Sequence, residues 1–158
     1  GHLVVDTPPR FGFGGRRALL EEVVGLPGIQ GRLRFAAAEH EDPEVMAALA
    51  RGIDLEMLKC LADSGRHPAA SQVVEDTGSY LGRGLAVLVN VLNPSLIVLC
   101  GPVLLLGERL TASIWEQVRS DVLPDFLMGL EIVRSSPCDA APLVGAVGLV
   151  LRRELGLM

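Results

Sequence analysis

The chain has 158 residues, of which 49% are hydrophobic, 21% charged and only 4% aromatic, so it encodes one aliphatic core and is neither a disordered segment nor two domains of comparable depth. A formal charge of −5 excludes a nucleic-acid surface on this chain, because gripping phosphates requires clustered Lys and Arg. The three cysteines, Cys60, Cys100 and Cys138, are far apart, unpaired in CxxC spacing and set among apolar residues, which predicts reduced thiols packed as small core side chains in a cytoplasmic protein.

No charged-then-apolar leader opens the sequence, which predicts no secretory signal. Leu3 to Val5 reads as a strand and Arg17 to Val24 as a short helix carrying Glu21 and Glu22. Asp42-Pro43-Glu44 supplies a cap, a first-turn proline and an acidic first turn for a helix to about Ala50. Asp54 caps the next, to about Ala62. From Pro68, apolar residues recur at helical spacing through Val74, Thr77, Leu81, Leu85, Leu88 and Leu92, predicting one long helix that ends at Asn93-Pro94. Its Gly78, Gly82 and Gly84 predict close packing against a neighbour. The stretch from Gly84 to Gly107 is long enough to span a bilayer, but Asn93-Pro94 breaks it and its second half is β-branched, so it reads as a buried helix followed by a buried strand. Leu85 to Leu92 is apolar nearly all round and predicts cover on both sides. Leu96 to Cys100 predicts an interior strand covered on both faces. Gly107 to Val122 reads as an amphipathic helix presenting Leu110, Ile114, Val118 and Val122, Leu130 to Ser135 alternates like a strand, and Ala141 to Leu155 reads as a terminal helix. The order implies an α/β layer structure.

Residues that carry chemistry are few. His2, His40 and His67 are the only imidazoles, no spacing sets one beside a nucleophile, and His40 reads as a solvated helix-end residue. Gly12-Phe13-Gly14-Gly15-Arg16-Arg17 is similar to a phosphate-cradling loop but lacks the Lys-Ser/Thr ending of a P-loop. Cys100-Gly101-Pro102 follows a strand, where a ligand can approach bare backbone; a tight turn is the simpler reading.

Several motifs together resemble the ROK family of bacterial repressors, open reading frames and sugar kinases. They are Gly1-His2-Leu3-Val4-Val5-Asp6, then Gly12-Phe13-Gly14-Gly15-Arg16-Arg17 running into Glu21. They continue in Leu81-Gly82-Arg83-Gly84-Leu85, in Leu92-Asn93-Pro94 through Cys100-Gly101, and in Pro142-Leu143-Val144-Gly145-Ala146. The resemblance implies an α/β chain forming the C-terminal lobe of an actin-like (ASKHA, ribonuclease-H-like) fold, with helices packed on a small mixed sheet. Residues 1–158 would then be one lobe: a sugar-site segment with a degenerate zinc loop at 1–25, a helical region at 26–92, and strand-helix-strand-helix at 93–158.

The same resemblance assigns sugar binding to His2 and Glu21, whose imidazole and carboxylate suit vicinal hydroxyls. It places the three zinc-binding cysteines of the family at Gly12, Gly14 and Leu19, none of which ligates a metal, so no zinc is expected. Kinases of the family carry a Gly-Gly pair where this chain has Cys100, Gly101 and Pro102, the nucleotide-binding positions if the protein is a kinase. The implied function is the sugar-sensing, dimerising lobe of a transcriptional regulator. Its partners would be a small sugar or sugar phosphate, a second copy of itself, and DNA only through a separate N-terminal part, with no membrane contact. The alternative is the corresponding lobe of an ATP- and Mg²⁺-dependent sugar kinase, with no catalytic residue on this chain. Phe11 and Phe13 are the expected anchors of the metal-free loop.

Overall fold

A computed structural model describes residues 3–5, 18–135, 147–148, 150–151, 154 and 156. His2, Phe11, Gly12, Phe13, Gly14 and Cys138 lie outside the described residues.

The chain begins with an antiparallel hairpin of β1 (Val4–Val5) and β2 (Ala18–Leu19), extended where Leu20 N–H donates to the Leu3 carbonyl at 2.7 Å. The helix expected from Arg17 therefore starts later, as α1 (Leu20–Val24), because 18 and 19 are drawn into strand pairing. Next comes α2 (Leu26–Glu39), which the sequence reading left inside a general helical region. The two Asp-capped helices form as predicted. In α3 (Pro43–Arg51) the Asp42 carboxylate accepts from Val45 N–H at 3.1 Å, and in α4 (Leu55–Asp63) the Asp54 carboxylate accepts from Met57 N–H at 2.8 Å.

The long helix α5 (Pro68–Leu92) runs about 37 Å. It ends on Asn93 in the left-handed region (φ 44°), before the proline. The parallel pair β3 (Leu96–Leu99) and β4 (Glu131–Arg134) is joined by a short 3₁₀ helix (Pro102–Leu106), then α6 (Glu108–Asp121) and α7 (Pro124–Leu127). Helical residues reappear at 147–148, 150–151 and 154, within the expected terminal helix.

The main core surrounds α5. Ile29 and Leu33 of α2, Val45 of α3, Leu58 of α4 and Leu110, Ile114 and Val118 of α6 are all buried in it. The close approach predicted from the glycines is present. A Cβ at Gly78 would stand 2.6 Å from both the Leu110 carbonyl oxygen and the Ser113 Cβ, and one at Gly82 would stand 2.6 Å from the Gln117 Cβ, so α5 and α6 meet nearly backbone to backbone. Asn90 fastens the far end of this crossing, donating to the Asp121 carbonyl at 3.0 Å and accepting from Leu123 N–H at 3.2 Å.

Four expectations are corrected. Among the described residues there is no single mixed sheet but two separate two-stranded sheets, because β2 folds back on β1 while β3 pairs only with β4. Leu85 to Leu92 is covered on one side alone: Ala86 and Val89 are buried, whereas Val91 is 74% and Leu92 67% exposed. In β3, Ile97 and Leu99 pack on the core but Leu96 and Val98 are half exposed, since two strands leave that face uncovered. Cys60 and Cys100 are exposed free thiols and not core residues: one lies on the outer side of α4 and the other just past the end of β3. Among the described residues no helix is long and apolar enough to cross a membrane.

Candidate functional site

Glu21 lies in the five-residue helix α1, where isolated propensity is far too weak to hold a helix. The structure fixes it from several sides. Glu22 turns back and its carboxylate accepts from Leu19 N–H at 2.9 Å, satisfying a donor at the helix start. Val23 is fully buried with Ala18 and Tyr80 in a satellite core to which Leu20 and Val24 add. Glu22 serves as a cap and Val23 as an anchor, and Glu21 is exposed.

Glycines set α1 tightly against its neighbours. A Cβ at Gly84 of α5 would lie 2.7 Å from the Leu20 side chain, and one at Gly28 of α2 would lie 2.0 Å from the Glu22 carbonyl oxygen. Only a residue without a side chain lets the α2 backbone approach α1 so closely at Gly28 and leaves room for the Leu20 side chain over Gly84. At the other end of α1, the Arg32 guanidinium donates to the Val23 carbonyl at 3.3 Å and to Thr77 Oγ1 at 2.6 Å. Arg32 is 2% exposed, and burial holds its pKa below the usual arginine value, opposed first by the nearby Asp76 carboxylate and then by Tyr80. No sequence signal marked Arg32, since its surroundings come from three different helices.

His2 lies outside the described residues, so its distance from Glu21 is not part of this geometry; the hairpin does bring Leu3 next to Leu20, one residue from each. Leu19, the one zinc-loop position described, sits in β2 opposite Val4 and offers no donor atom, so the residues do not fit a zinc of the family type. Among the described residues no group of three His, Cys, Asp or Glu side chains is gathered for a metal.

The second candidate region is remote from α1 in sequence, at the carboxyl end of β3. Cys100 is exposed, and Gly101 takes φ 116° and ψ 168°, a conformation open only to glycine, which turns the chain into the 3₁₀ helix begun by Pro102. The tight turn is therefore present, with a thiol and a pyrrolidine ring flanking the glycine. A hollow of about 370 Å³ lies nearby, lined by Leu99, Ile132, Thr111 and Trp115, with the Glu108–Arg134 ion pair at its rim.

Sequence reasoning also missed His67. It is buried at the start of α5, with Nδ1 2.8 Å from Asp42 Oδ2 and Nε2 3.3 Å from Glu44 Oε2. Its partners are more than twenty residues away, at the start of α3, so no local pattern announces the contact. His40 is exposed at the end of α2, as expected, with Nε2 3.2 Å from Gln72 Oε1.

Residues 1–153 match the ROK family, and the chain belongs to it. Among curated relatives, the N-acetylglucosamine repressor and dual regulator NagC of Escherichia coli is 32% identical over 96 residues, covering 61% of this chain and 23% of that protein. The glucokinase of Thermotoga maritima is 25% identical over 155 residues, 97% of this chain and 49% of that protein. A solved ROK transcriptional regulator, a homologue of E. coli Mlc, superimposes with a TM-score of 0.74 at 26% identity over 92% of this chain and 36% of its own. A sugar kinase structure from Cytophaga hutchinsonii shares the fold with a TM-score of 0.73 at 21% identity, covering 96% of this chain and 47% of its own. The chain thus spans between about a quarter and a half of these relatives. Its α/β architecture is that of ROK proteins, which have an actin-like fold.

Proposed function

We propose that this chain is the C-terminal, sugar-sensing and dimerising lobe of a ROK transcriptional regulator, with DNA bound by a segment outside it. The observation that carries the reading is the placement of Glu21, an exposed carboxylate on a short helix anchored by a cap, a buried valine and two close glycine contacts. A carboxylate fixed in this way recognises vicinal hydroxyls at low entropic cost, since its backbone is ordered before the ligand arrives. His2 is the proposed second contact. The ligand class is a small sugar or sugar phosphate, an assignment supported by the relatives named for N-acetylglucosamine and for glucose phosphorylation.

The regulator reading is favoured over the kinase one by Cys100 and Pro102, which put side chains on both flanks of the glycine where the kinases have a Gly-Gly pair. ATP and Mg²⁺ belong to this protein only in the kinase alternative, which the match to glucokinase over most of the chain supports. A phosphotransfer assay can decide for the kinase reading. The purified chain is expected to transfer no phosphate from ATP to glucose or N-acetylglucosamine, because phosphoryl transfer depends on positioned phosphate, metal and base groups that this chain does not supply. Sugar-dependent ADP release above a no-protein control would replace the regulator reading with the kinase one.

Two further expectations follow from the same proposal. Elemental analysis of protein purified without chelator should find only traces of zinc, because three thiolate positions are occupied by Gly12, Gly14 and Leu19; about one zinc per chain would contradict it. Light scattering at micromolar concentration should give a dimer or larger, as Val91 and Leu92 at the end of α5 and Leu96 and Val98 in β3 expose apolar side chains that a second copy would cover.

A further inference from the structure

We propose that Arg32 is the positioning residue of the sugar site, clamping the carboxyl end of α1 to α5 and thereby fixing Glu21. The inference rests on the sugar reading for its ligand but on contacts within the fold for its geometry.

Arg32 is unusual on three counts. It is among the largest fully buried side chains, yet the hydrogen bonds its guanidinium makes go to neutral acceptors: the Val23 carbonyl at 3.3 Å, Thr77 Oγ1 at 2.6 Å and the Val73 carbonyl at 3.5 Å. Among the described residues its Nε is buried without a hydrogen-bond partner. Its charge lies 5.4 Å from the centre of the Tyr80 ring, whose surroundings also include Arg83 at 5.8 Å. A buried arginine so placed costs desolvation that an apolar side chain of similar size would not. Packing alone therefore does not account for it.

The contacts do. Val23 carries one of the final carbonyls of α1, a group with no partner inside so short a helix, and a cation there also meets the negative end of the helix dipole. Thr77 completes the link to α5, since its hydroxyl accepts from Arg32 and donates to the Val73 carbonyl at 2.6 Å. α1 is thus held at its start by Glu22 and Gly84 and at its end by Arg32, with Glu21 between the two fixed points. Without the clamp, the contacts at the start of α1, the short β1–β2 pair and the satellite core would be left to order Glu21.

The test uses the full chain as Arg32→Met, which keeps the bulk without the donors, Arg32→Lys, which keeps the charge with a single donor head, and Thr77→Val, which removes the bridging hydroxyl and serves if Arg32→Met fails to fold. Two quantities are read: hydrogen exchange of amides 20–25, and calorimetric affinity for glucose, N-acetylglucosamine and their 6-phosphates. Arg32→Met and Thr77→Val should speed exchange selectively in α1 and weaken the bound sugar about tenfold, roughly the loss of one charge-assisted hydrogen bond. Arg32→Lys should fall between wild type and Arg32→Met. In a Glu21→Gln background, Arg32→Met should cause little additional loss of affinity, an interaction that mere destabilisation would not produce. Unchanged α1 exchange in the folded variants, or losses that add in full to that of Glu21→Gln, would overturn the clamp. A wild-type chain that binds none of the four sugars would overturn the sugar reading, and the exchange data would still decide the clamp.

Discussion

Replacing Gly78 by alanine should destabilise the fold by about 1–3 kcal/mol, although alanine is the better helix former by about 1 kcal/mol. The added Cβ would stand 2.6 Å from the Leu110 carbonyl oxygen and 3.2 Å from the Ile114 amide nitrogen, both backbone atoms of α6. Neither can move without displacing the helix, so overpacking outweighs propensity. Gly82→Ala should behave alike, since its Cβ would stand 2.8 Å from the Ile114 carbonyl oxygen, and the two changes together should separate α5 from α6. Gly31 is the control. It lies in α2 with nothing within 4 Å of its Cβ position, so alanine there should stabilise by about 0.5–1 kcal/mol. Urea midpoints at constant m-value measure all three. A neutral or stabilising Gly78→Ala would mean that α5 and α6 are not in backbone contact.

The second large effect is expected at Asp42. Its carboxylate caps α3 through Val45 N–H and meets the buried His67, with 10% and 7% of the two side chains exposed. Asp42→Ala removes the cap, about 1 kcal/mol, and leaves His67 Nδ1 buried without its acceptor, about 1–3 kcal/mol more. The total loss should be about 2–4 kcal/mol. Asp42→Asn keeps one of the two oxygens, Oδ1 for Val45 N–H or Oδ2 for His67 but not both, and should lose less than alanine. Burial alone would raise the Asp42 pKa, but hydrogen bonds from Val45 N–H and then His67 outweigh it and hold the carboxyl below its usual range. The sign follows from this depression: the ionised carboxylate stabilises the fold above the unfolded value of about 3.9, and the contribution fades as pH falls through the lower folded value. His40, Glu41, Glu44, Arg66 and His67 line the same hollow. The gap between wild type and Asp42→Ala, measured by urea unfolding, should be full at neutral pH and narrow below about pH 4. A gap that widens in acid would contradict the assignment.

How far the sequence revealed this structure depended on whether a feature was local. Asp42-Pro43-Glu44 and Asp54 announced their helices because capping is decided within four residues, and Asn93-Pro94 announced the end of α5 for the same reason. The face of α6 was readable from its period, and all four residues named for it are buried. What periodicity cannot supply is the partner. Leu88 and Val91 have the pattern of a buried helix but are exposed, and Leu96 and Val98 have that of an interior strand, because burial is decided by what else packs on that face. Cys60 and Cys100 were misplaced on the same ground.

The site divides similarly. Glu21 was proposed through family resemblance, and the elements that fix it were invisible: β2 is two residues long, and Arg32 reaches acceptors 9, 41 and 45 residues away. The His67–Asp42 pair lies 25 residues apart and was missed as well. The glycines of α5 were the exception, since their spacing on one helix forecast a close crossing that the structure contains.

The central claim, that Glu21 serves sugar recognition on this chain, is tested most directly by titrating glucose, N-acetylglucosamine and their 6-phosphates into the wild-type chain and Glu21→Gln by calorimetry, alongside urea unfolding of both. The account predicts saturable binding of at least one of these sugars to the wild type. It predicts affinity about tenfold or more weaker in Glu21→Gln, with urea unfolding showing both proteins folded under the titration conditions. Equal affinity in the two proteins, or no binding to the wild type, would contradict it.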